Sequence, residues 1–381
     1  MHYRMKLGAK VLLVLVFALM TREAVTQIRK TPNSSKGGRE HSQLWEKVPA
    51  PIQNYPFPEF PIPLTLEEWK KDRRDSVRQK VVQCLGEIPP RPANLQSKVV
   101  RSEDRGTYVL ERFEFDNEVD GTVTGYLMLP KNTRKPAPTI VALHGHGSSK
   151  ESVTIDDKSS QKVGELLVKK GYVVAAIDSY FCGERLGTGP ATDLDDRRGE
   201  EHSYFKLHLW FGRTLWGMML RDEQILLDYL ETRPEVDANR IGATGMSMGC
   251  TRSWWLAAVD ERIKALVGIA CFTRYTELIA HGNLRMHGMY YFVPGILKYF
   301  DSEAIYSLVT PRPMLMLSGD EDGGAPTSGI ITLEEILGKM YKLYGAPEHF
   351  RSILYSNTGH EYLPEMKEEM VNWFEKHLPV Q

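Results

Sequence analysis

Arg240-Ile241-Gly242-Ala243-Thr244-Gly245-Met246-Ser247-Met248-Gly249 is the stretch whose reading decides the fold. Ile241 to Ala243 is a short apolar strand, Gly245 to Gly249 is a Gly-x-Ser-x-Gly turn, and Trp254, Trp255, Leu256 and Ala257 continue as a helix. Strand, sharp turn and helix in that order lift a serine oxygen above the edge of a sheet, in a strained backbone conformation. Strand and helix nearly touch at such a turn, so the residues two either side of the serine must be small. Gly245 and Gly249 meet that requirement. The bare pattern recurs by chance in unrelated chains; the strand-turn-helix setting gives it weight.

Outward from this turn, short apolar runs alternate with helical patterns. The runs are Thr139 to Leu143, Val173 to Ile177, Arg240 to Ala243, Ala265 to Ala270, Met314 to Leu317 and Phe350 to Tyr355. Strands of this kind indicate a largely parallel sheet covered on both faces. Leu220, Leu227 and Leu230 share one helical face, and Met366, Met370, Phe374 and Leu378 recur at i+4. Upstream, Tyr108 to Phe115 and Thr122 to Leu129 flank a turn-forming Asp116 to Gly121 and read as an antiparallel hairpin. The expected fold class is therefore α/β, with a mostly parallel central sheet, an antiparallel N-terminal hairpin and helices on both faces. Two connections, Gly183 to Ser203 and Phe272 to Phe300, are long enough to build a pocket over the strand ends.

A serine needs a base, and eleven histidines compete for that role. His360, in Asn357-Thr358-Gly359-His360-Glu361, follows the last strand and precedes the last helix, on a loop able to lean over Ser247. His349 precedes that strand and falls at the opposite sheet edge. His202, His208, His281 and His287 lie in the long connections, as second choices for the base. The base needs an acid to hold its tautomer, and Gly319-Asp320-Glu321-Asp322 follows the strand Met314 to Leu317. Asp322 is preferred for its distance past the glycine, with Asp320 as runner-up. Oxyanion donors are expected from the backbone N–H of Met248 and of His146, the latter in Leu143-His144-Gly145-His146-Gly147. His144 and His146 lack a third ligand at useful spacing, so no metal and no cofactor are expected.

Before the hairpin, Arg4, Lys6 and Lys10 precede an apolar run from Val11 to Met20, a secretory-signal pattern too short to span a bilayer comfortably. A signal peptide over residues 1–26 makes the location secreted or periplasmic. Residues 27–95 form an extension: a polar stretch with a sequon at Asn33, a Pro-rich segment carrying Tyr55, Phe57 and Phe60, and a helix from a capping box at Thr65 and Glu68 to Leu85. The extension is expected to pack on a catalytic domain over 96–381. Cys84, Cys182, Cys250 and Cys271 have no metal-ligand spacing; buried thiols are preferred over disulfides, which export would permit. A formal net charge of -1 gives no footprint for nucleic acid and no polybasic contact for a membrane. A small-molecule or polysaccharide ester suits this balance better, and oligomeric state is left open.

With serine, acid, histidine and oxyanion loop in this order, the chain from Tyr108 onward resembles the α/β-hydrolase superfamily. Within it, the chain looks like dienelactone-hydrolase-like and acetyl xylan esterase-like proteins. The likeness is carried by His144-Gly145-His146-Gly147, Asp178 with Gly183-Glu184-Arg185, Val236-Asp237-Ala238-Asn239-Arg240-Ile241-Gly242, Pro311-Arg312-Pro313 and Gly359-His360-Glu361. Dienelactone hydrolases carry cysteine where this chain has Ser247, and glucuronoyl esterases carry arginine where it has Met248. Prolyl-peptidase relatives need a propeller for which the sequence before Thr139 is too short. The resemblance, together with the signal pattern, implies an exported serine esterase acting on acetylated carbohydrate. His281 and His287, by their place in the long connections, and Trp210 and Trp216, as surfaces for sugar rings, are the candidate substrate contacts. Trp254 and Trp255, on the helix behind the serine, are expected in the core. An exported peptidase or amidase with the same triad, and a non-catalytic binding protein of this fold, are the rival readings.

Overall fold

A strand covered on both faces sends alternate side chains into two different cores, and the central strands do so throughout. In β4 (Ala137–Leu143), Val141 and Leu143 enter one core while Ile140 and Ala142 enter the other. β5 (Val173–Ile177) and β8 (Met314–Gly319) divide in the same way. Both halves of the alternation are apolar, which is why the sequence shows unbroken runs. The computed structural model describes residues 48–190, 197–281 and 283–381. The expected signal segment and the polar stretch with Asn33 lie outside the described residues.

Among the described residues the sheet has nine strands, ordered β1-β2-β3-β5-β4-β6-β7-β8-β9. β1 (Ser97–Asp104), β2 (Tyr108–Asp116) and β3 (Thr122–Pro130) run antiparallel, and β3 joins β5 antiparallel. From β5 through β4, β6 (Val236–Met246), β7 (Ile263–Ile269) and β8 to β9 (Phe350–Tyr355) all pairing is parallel. β5 and β6 flank β4, so the winding reverses there and a crevice opens at the strands' carboxyl ends.

Helices Arg74–Leu85, Leu215–Glu231, Met248–Val259, Ser302–Ser307 and Thr327–Leu343 cover one face. Lys150–Thr154, Gly164–Lys169 and Pro364–His377 cover the other. No helix among the described residues is long and apolar enough to cross a membrane.

Two features differ from the sequence reading. β1 is an edge strand that the pattern did not announce, because it is exposed along nearly its whole length and carries Lys98, Arg101 and Glu103. Charge and a register shift between Val99 and Arg101 keep this edge from templating another strand. The second difference is helix Arg197–Trp210, which begins inside the connection read as polar.

Ahead of the sheet, the Thr65 hydroxyl accepts from the Glu68 N–H (3.1 Å) and the Glu68 carboxylate from the Leu64 N–H (2.8 Å). The helix so capped passes through a π turn, Trp69–Arg73, before Arg74–Leu85. Phe60 packs edge-on against the fully buried Trp69 at 6.0 Å, while Phe57 is half-buried and Tyr55 exposed. The four cysteines form no disulfide; Cys182, Cys250 and Cys271 are buried and Cys84 half-buried.

Candidate active site

Left-handed φ on a residue with a side chain costs free energy, and such residues gather at one edge of this sheet. Phe181 (φ 50°), Ser247 (60°), Ala270 (55°), Cys271 (83°) and Asn357 (53°) all follow the carboxyl ends of strands. Strain of this kind persists where the surrounding structure enforces it, typically at functional sites.

Ser247, at φ 60° and ψ -121°, joins β6 to helix Met248–Val259. A Cβ on Gly245 would lie 2.5 Å from the Gly249 carbonyl carbon, and one on Gly249 would run into the Leu143 carbonyl. The glycines are therefore forced by the crossing of β4, β6 and the helix. The Ser247 N–H donates to the Ile269 carbonyl at 2.9 Å, tying the turn to β7, and the Cys271 thiol lies against the Ser247 hydroxyl.

The same lateral bonding continues across the edge. Ala270 N–H donates to Leu317 (2.9 Å), Asp320 N–H to Tyr355 (3.0 Å) and Glu321 N–H to Thr358 (2.9 Å). These bonds place the turn after β8 against the loop after β9. There Asp322, buried, accepts from His360 Nδ1 at 2.8 Å through Oδ2 and from the Gly324 N–H at 2.8 Å through Oδ1. An ionised carboxylate only accepts, so Nδ1 carries the proton and Nε2 is the outward nitrogen. The bond from Asp322 raises the His360 pKa above the ordinary imidazole value, against the opposing effect of burial. Asp320, the alternative carboxylate in the sequence, instead accepts from the Thr358 N–H at 3.3 Å. His349 bonds the Pro311 carbonyl, at the far edge.

On the other side of Ser247, His144 is fully buried. Its Nε2 accepts from the Ser179 N–H (3.1 Å), so Nδ1–H donates to the Gly145 carbonyl (2.9 Å), and burial pushes its pKa down to about 3. A neutral imidazole locked this way is not available to a metal. The buried Arg252 donates to Glu223 and, at 3.4 Å, to the His144 carbonyl, bracing the loop from behind. His146 is the open member of the loop: its Nε2 lies 2.8 Å from Oε2 of Glu201, on helix Arg197–Trp210. Met248 opens its helix, where the first N–H groups have no intrahelical partner. Asp178, after β5, receives the Lys150 N–H (2.8 Å), its ammonium (2.7 Å) and the Glu184 N–H (3.1 Å), pinning the neighbouring turns together.

The four candidate substrate contacts scatter. His287 Nε2 donates to the Gly324 carbonyl (3.0 Å), beside Asp322, and its ring stacks on Tyr291 at 4.1 Å; burial lowers its pKa to about 4. His281 bonds Ser328 at 3.2 Å, in the connection after β7. Trp216 is 1 % exposed and stacks behind Tyr290 at 5.8 Å, so its indole backs the wall instead of facing a ligand. Trp210 is 87 % exposed at the end of its helix. Of the histidines on helix Arg197–Trp210, His202 is exposed and His208 is buried against Arg213. The sequence reading did not connect Glu201, Tyr290 or Arg252 with this edge, and it read Cys271 as a buried thiol, which it is. A carboxylate whose partners lie tens of residues away leaves no local spacing signal.

Sheet, edge loops and the order of strands together define an α/β-hydrolase. A model described as the Abhydrolase family matches residues 53–372, and the chain belongs to that family. YtaP of Bacillus subtilis (strain 168), provisionally named a hydrolase, is 33% identical over 308 residues, which cover 79% of this chain and 98% of that one. Among solved structures, a glucuronoyl esterase from Solibacter usitatus superposes with a TM-score of 0.65 at 17% identity, covering 84% of this chain and 99% of its own. A Bacteroides fragilis NCTC 9343 protein, provisionally named an acetyl xylan esterase, gives 0.61 at 21% identity, covering 92% and 93%. At such identities these two likenesses are of fold.

Proposed function

We propose that this protein is an exported serine carboxylic-ester hydrolase that works through an acyl-enzyme, with acetylated carbohydrate as its substrate class. The reading rests on one observation above all: the Asp322–His360 hydrogen bond of 2.8 Å, at the same strand edge as the strained Ser247. Ser247 Oγ attacks the ester carbonyl while His360 Nε2 takes its proton, and Asp322 stabilises the resulting imidazolium through Nδ1–H. The N–H groups of Met248 and His146 receive the oxyanion. His360 then returns the proton to the leaving alkoxide, and water repeats the sequence in reverse, releasing the acid. His287 borders the acid's turn, and the exposed Trp210 is an outer platform for a sugar ring.

The carbohydrate assignment is supported by the names of the structural neighbours, and export by the basic start and apolar run before Thr21. A fluorophosphonate probe should label the intact protein and not Ser247→Ala. Acetate should be released from acetylated polysaccharide, with no cleavage of aminoacyl amides. Failure of labelling would remove Ser247 from the chemistry; amide cleavage without ester cleavage would make the protein a peptidase or amidase.

A further inference from the structure

A second carboxylate–imidazole pair involves the loop after β4, whereas His360 follows β9, and β6 with Ser247 lies between those strands in the sheet. Glu201, 3 % exposed, ties its helix to two other segments: Oε2 lies 2.8 Å from His146 Nε2, and Oε1 accepts the Tyr290 N–H at 3.2 Å, with Gly288 of that same connection packed against Oε1. His146 belongs to the loop after β4, Glu201 to helix Arg197–Trp210 after β5, and Tyr290 to the connection after β7. The imidazole sits between Phe181 (5.9 Å) and Tyr290 (5.1 Å), and its side chain keeps 35 % exposure beside a carboxylate that keeps 4 %. The mechanism above uses only the backbone of His146, and leaves this side chain without a task.

Resting on the ester-hydrolase reading, we propose that His146 is a specificity residue that accepts a hydrogen bond from a hydroxyl on the alcohol part of the ester, and that Glu201 is the positioning residue that makes it an acceptor. The physical reason is tautomeric. A carboxylate cannot donate, so the nitrogen facing Glu201 is Nε2–H, and in the neutral ring Nδ1 is left with a lone pair. Nδ1 is then the acceptor left for a ligand, on a side chain that keeps 35 % exposure and on the loop proposed to supply an oxyanion N–H. An alcohol bearing a hydroxyl next to the ester oxygen, as a singly acetylated vicinal diol of a sugar ring does, presents the matching donor. A site built to bond a hydroxyl rejects an analogue that lacks it far more strongly than an apolar pocket would.

The probes are trans-2-hydroxycyclohexyl acetate and cyclohexyl acetate, which differ by that one hydroxyl. The ratio of their kcat/KM values is expected to favour the hydroxylated ester by about tenfold or more in the wild type. Glu201→Gln is the informative variant. Its amide oxygen is claimed by the Tyr290 N–H, which turns the NH2 toward His146 and forces the proton onto Nδ1. The acceptor becomes a donor; since a hydroxyl can also accept, the change is read against trans-2-methoxycyclohexyl acetate, which accepts but cannot donate. The hydroxyl-to-methoxy ratio of kcat/KM should fall, and the imidazole 15N shifts of labelled histidine should report the other tautomer. His146→Asn, whose Oδ1 takes the place of Nδ1, should keep part of the preference, and His146→Ala should abolish it. These two decide the matter if Glu201→Gln fails to fold.

Equal kcat/KM for the hydroxylated and plain esters in the wild type, an unchanged hydroxyl-to-methoxy ratio in Glu201→Gln, or equal hydroxyl-to-plain ratios in the two His146 variants would each overturn the proposal. Those results would leave the esterase reading standing. Hydrolysis of neither ester by the wild type would overturn the esterase reading, and this role with it.

Discussion

Two imidazole–carboxylate pairs stand on strand-end loops on either side of β6, the strand that leads to Ser247, and they are alike in length and burial. Asp322–His360 and Glu201–His146 are both 2.8 Å long. Their carboxylates are buried, at 0% and 4% side-chain exposure, and their imidazoles half-open, at 40% and 35%. In the first the carboxylate takes Nδ1; in the second it takes Nε2. Which nitrogen is held decides what the ring can reach. Held at Nδ1, the ring extends its far nitrogen outward, as a proton shuttle must. Held at Nε2, it keeps only the nitrogen beside its own backbone, and can meet only what lies next to its own loop. The delivery differs too. Asp322 and His360 come from short turns after adjacent parallel strands, stitched by backbone bonds. Glu201 and His146 are brought together by a helix in a long connection.

The proposed division of labour breaks first at the nucleophile. Ser247→Ala should keep its circular dichroism spectrum and lose about 10^5-fold in turnover of p-nitrophenyl acetate. Retained activity would leave the Asp322–His360 pair with nothing to serve. Next in size, Asp322→Asn should cost about 10^4-fold, because the amide disfavours the tautomer with Nδ1–H. Asp320→Asn, which keeps an acceptor for the Thr358 N–H, should stay within about threefold. Equal losses in the two would return the acid to the ambiguity that the sequence left.

The pH profile is a smaller and sharper test. His360 must be neutral to take a proton, and Asp322 holds its pKa above the ordinary value. The acid limb of kcat/KM should therefore lie above about pH 6.5, and rates should fall as pH drops through the raised pKa. In Asp322→Asn the limb should move to lower pH, since burial then acts unopposed. A limb that does not move would mean that another group titrates. The sign for stability is the reverse: the charged pair's contribution is full below the unfolded pKa and fades as pH rises through the folded one. Smallest of the expected effects is the roughly tenfold selectivity change in Glu201→Gln, which tests the second pair alone.

The central strands were legible because burial on both faces writes an apolar run into the chain. β5 and β9 begin and end where the runs do, whereas β6 extends back through polar residues to Val236, where only one end is fully covered. β1 was not legible, since an edge strand in water needs no apolar face and gains by carrying charge. Helix Arg197–Trp210 hid for a related reason: Glu200 and Glu201 fall on its buried side, so the helix presents no clean apolar stripe. Glu200 binds the N–H groups of Gly187 and Gly189 at 2.9 and 2.8 Å, partners that no periodicity predicts. Trp216 is a different lesson. An aromatic residue near a pocket can lie one layer behind it, and here Tyr290 stands in front.

Local steric demands act between neighbours in the chain, and these the sequence determined by itself: the strand-turn-helix at Ser247, the glycines its crossing requires, the parallel α/β architecture, and a histidine on the loop after the last strand. Long-range choices were decided only by the tertiary structure. It selected Asp322 over Asp320 as the partner of His360, turned Trp216 inward, and drew Glu201 to His146 from 55 residues away. A hydrogen bond between distant segments depends on distance and angle set by the whole packed sheet, and nothing in the spacing of the residues along the chain encodes it.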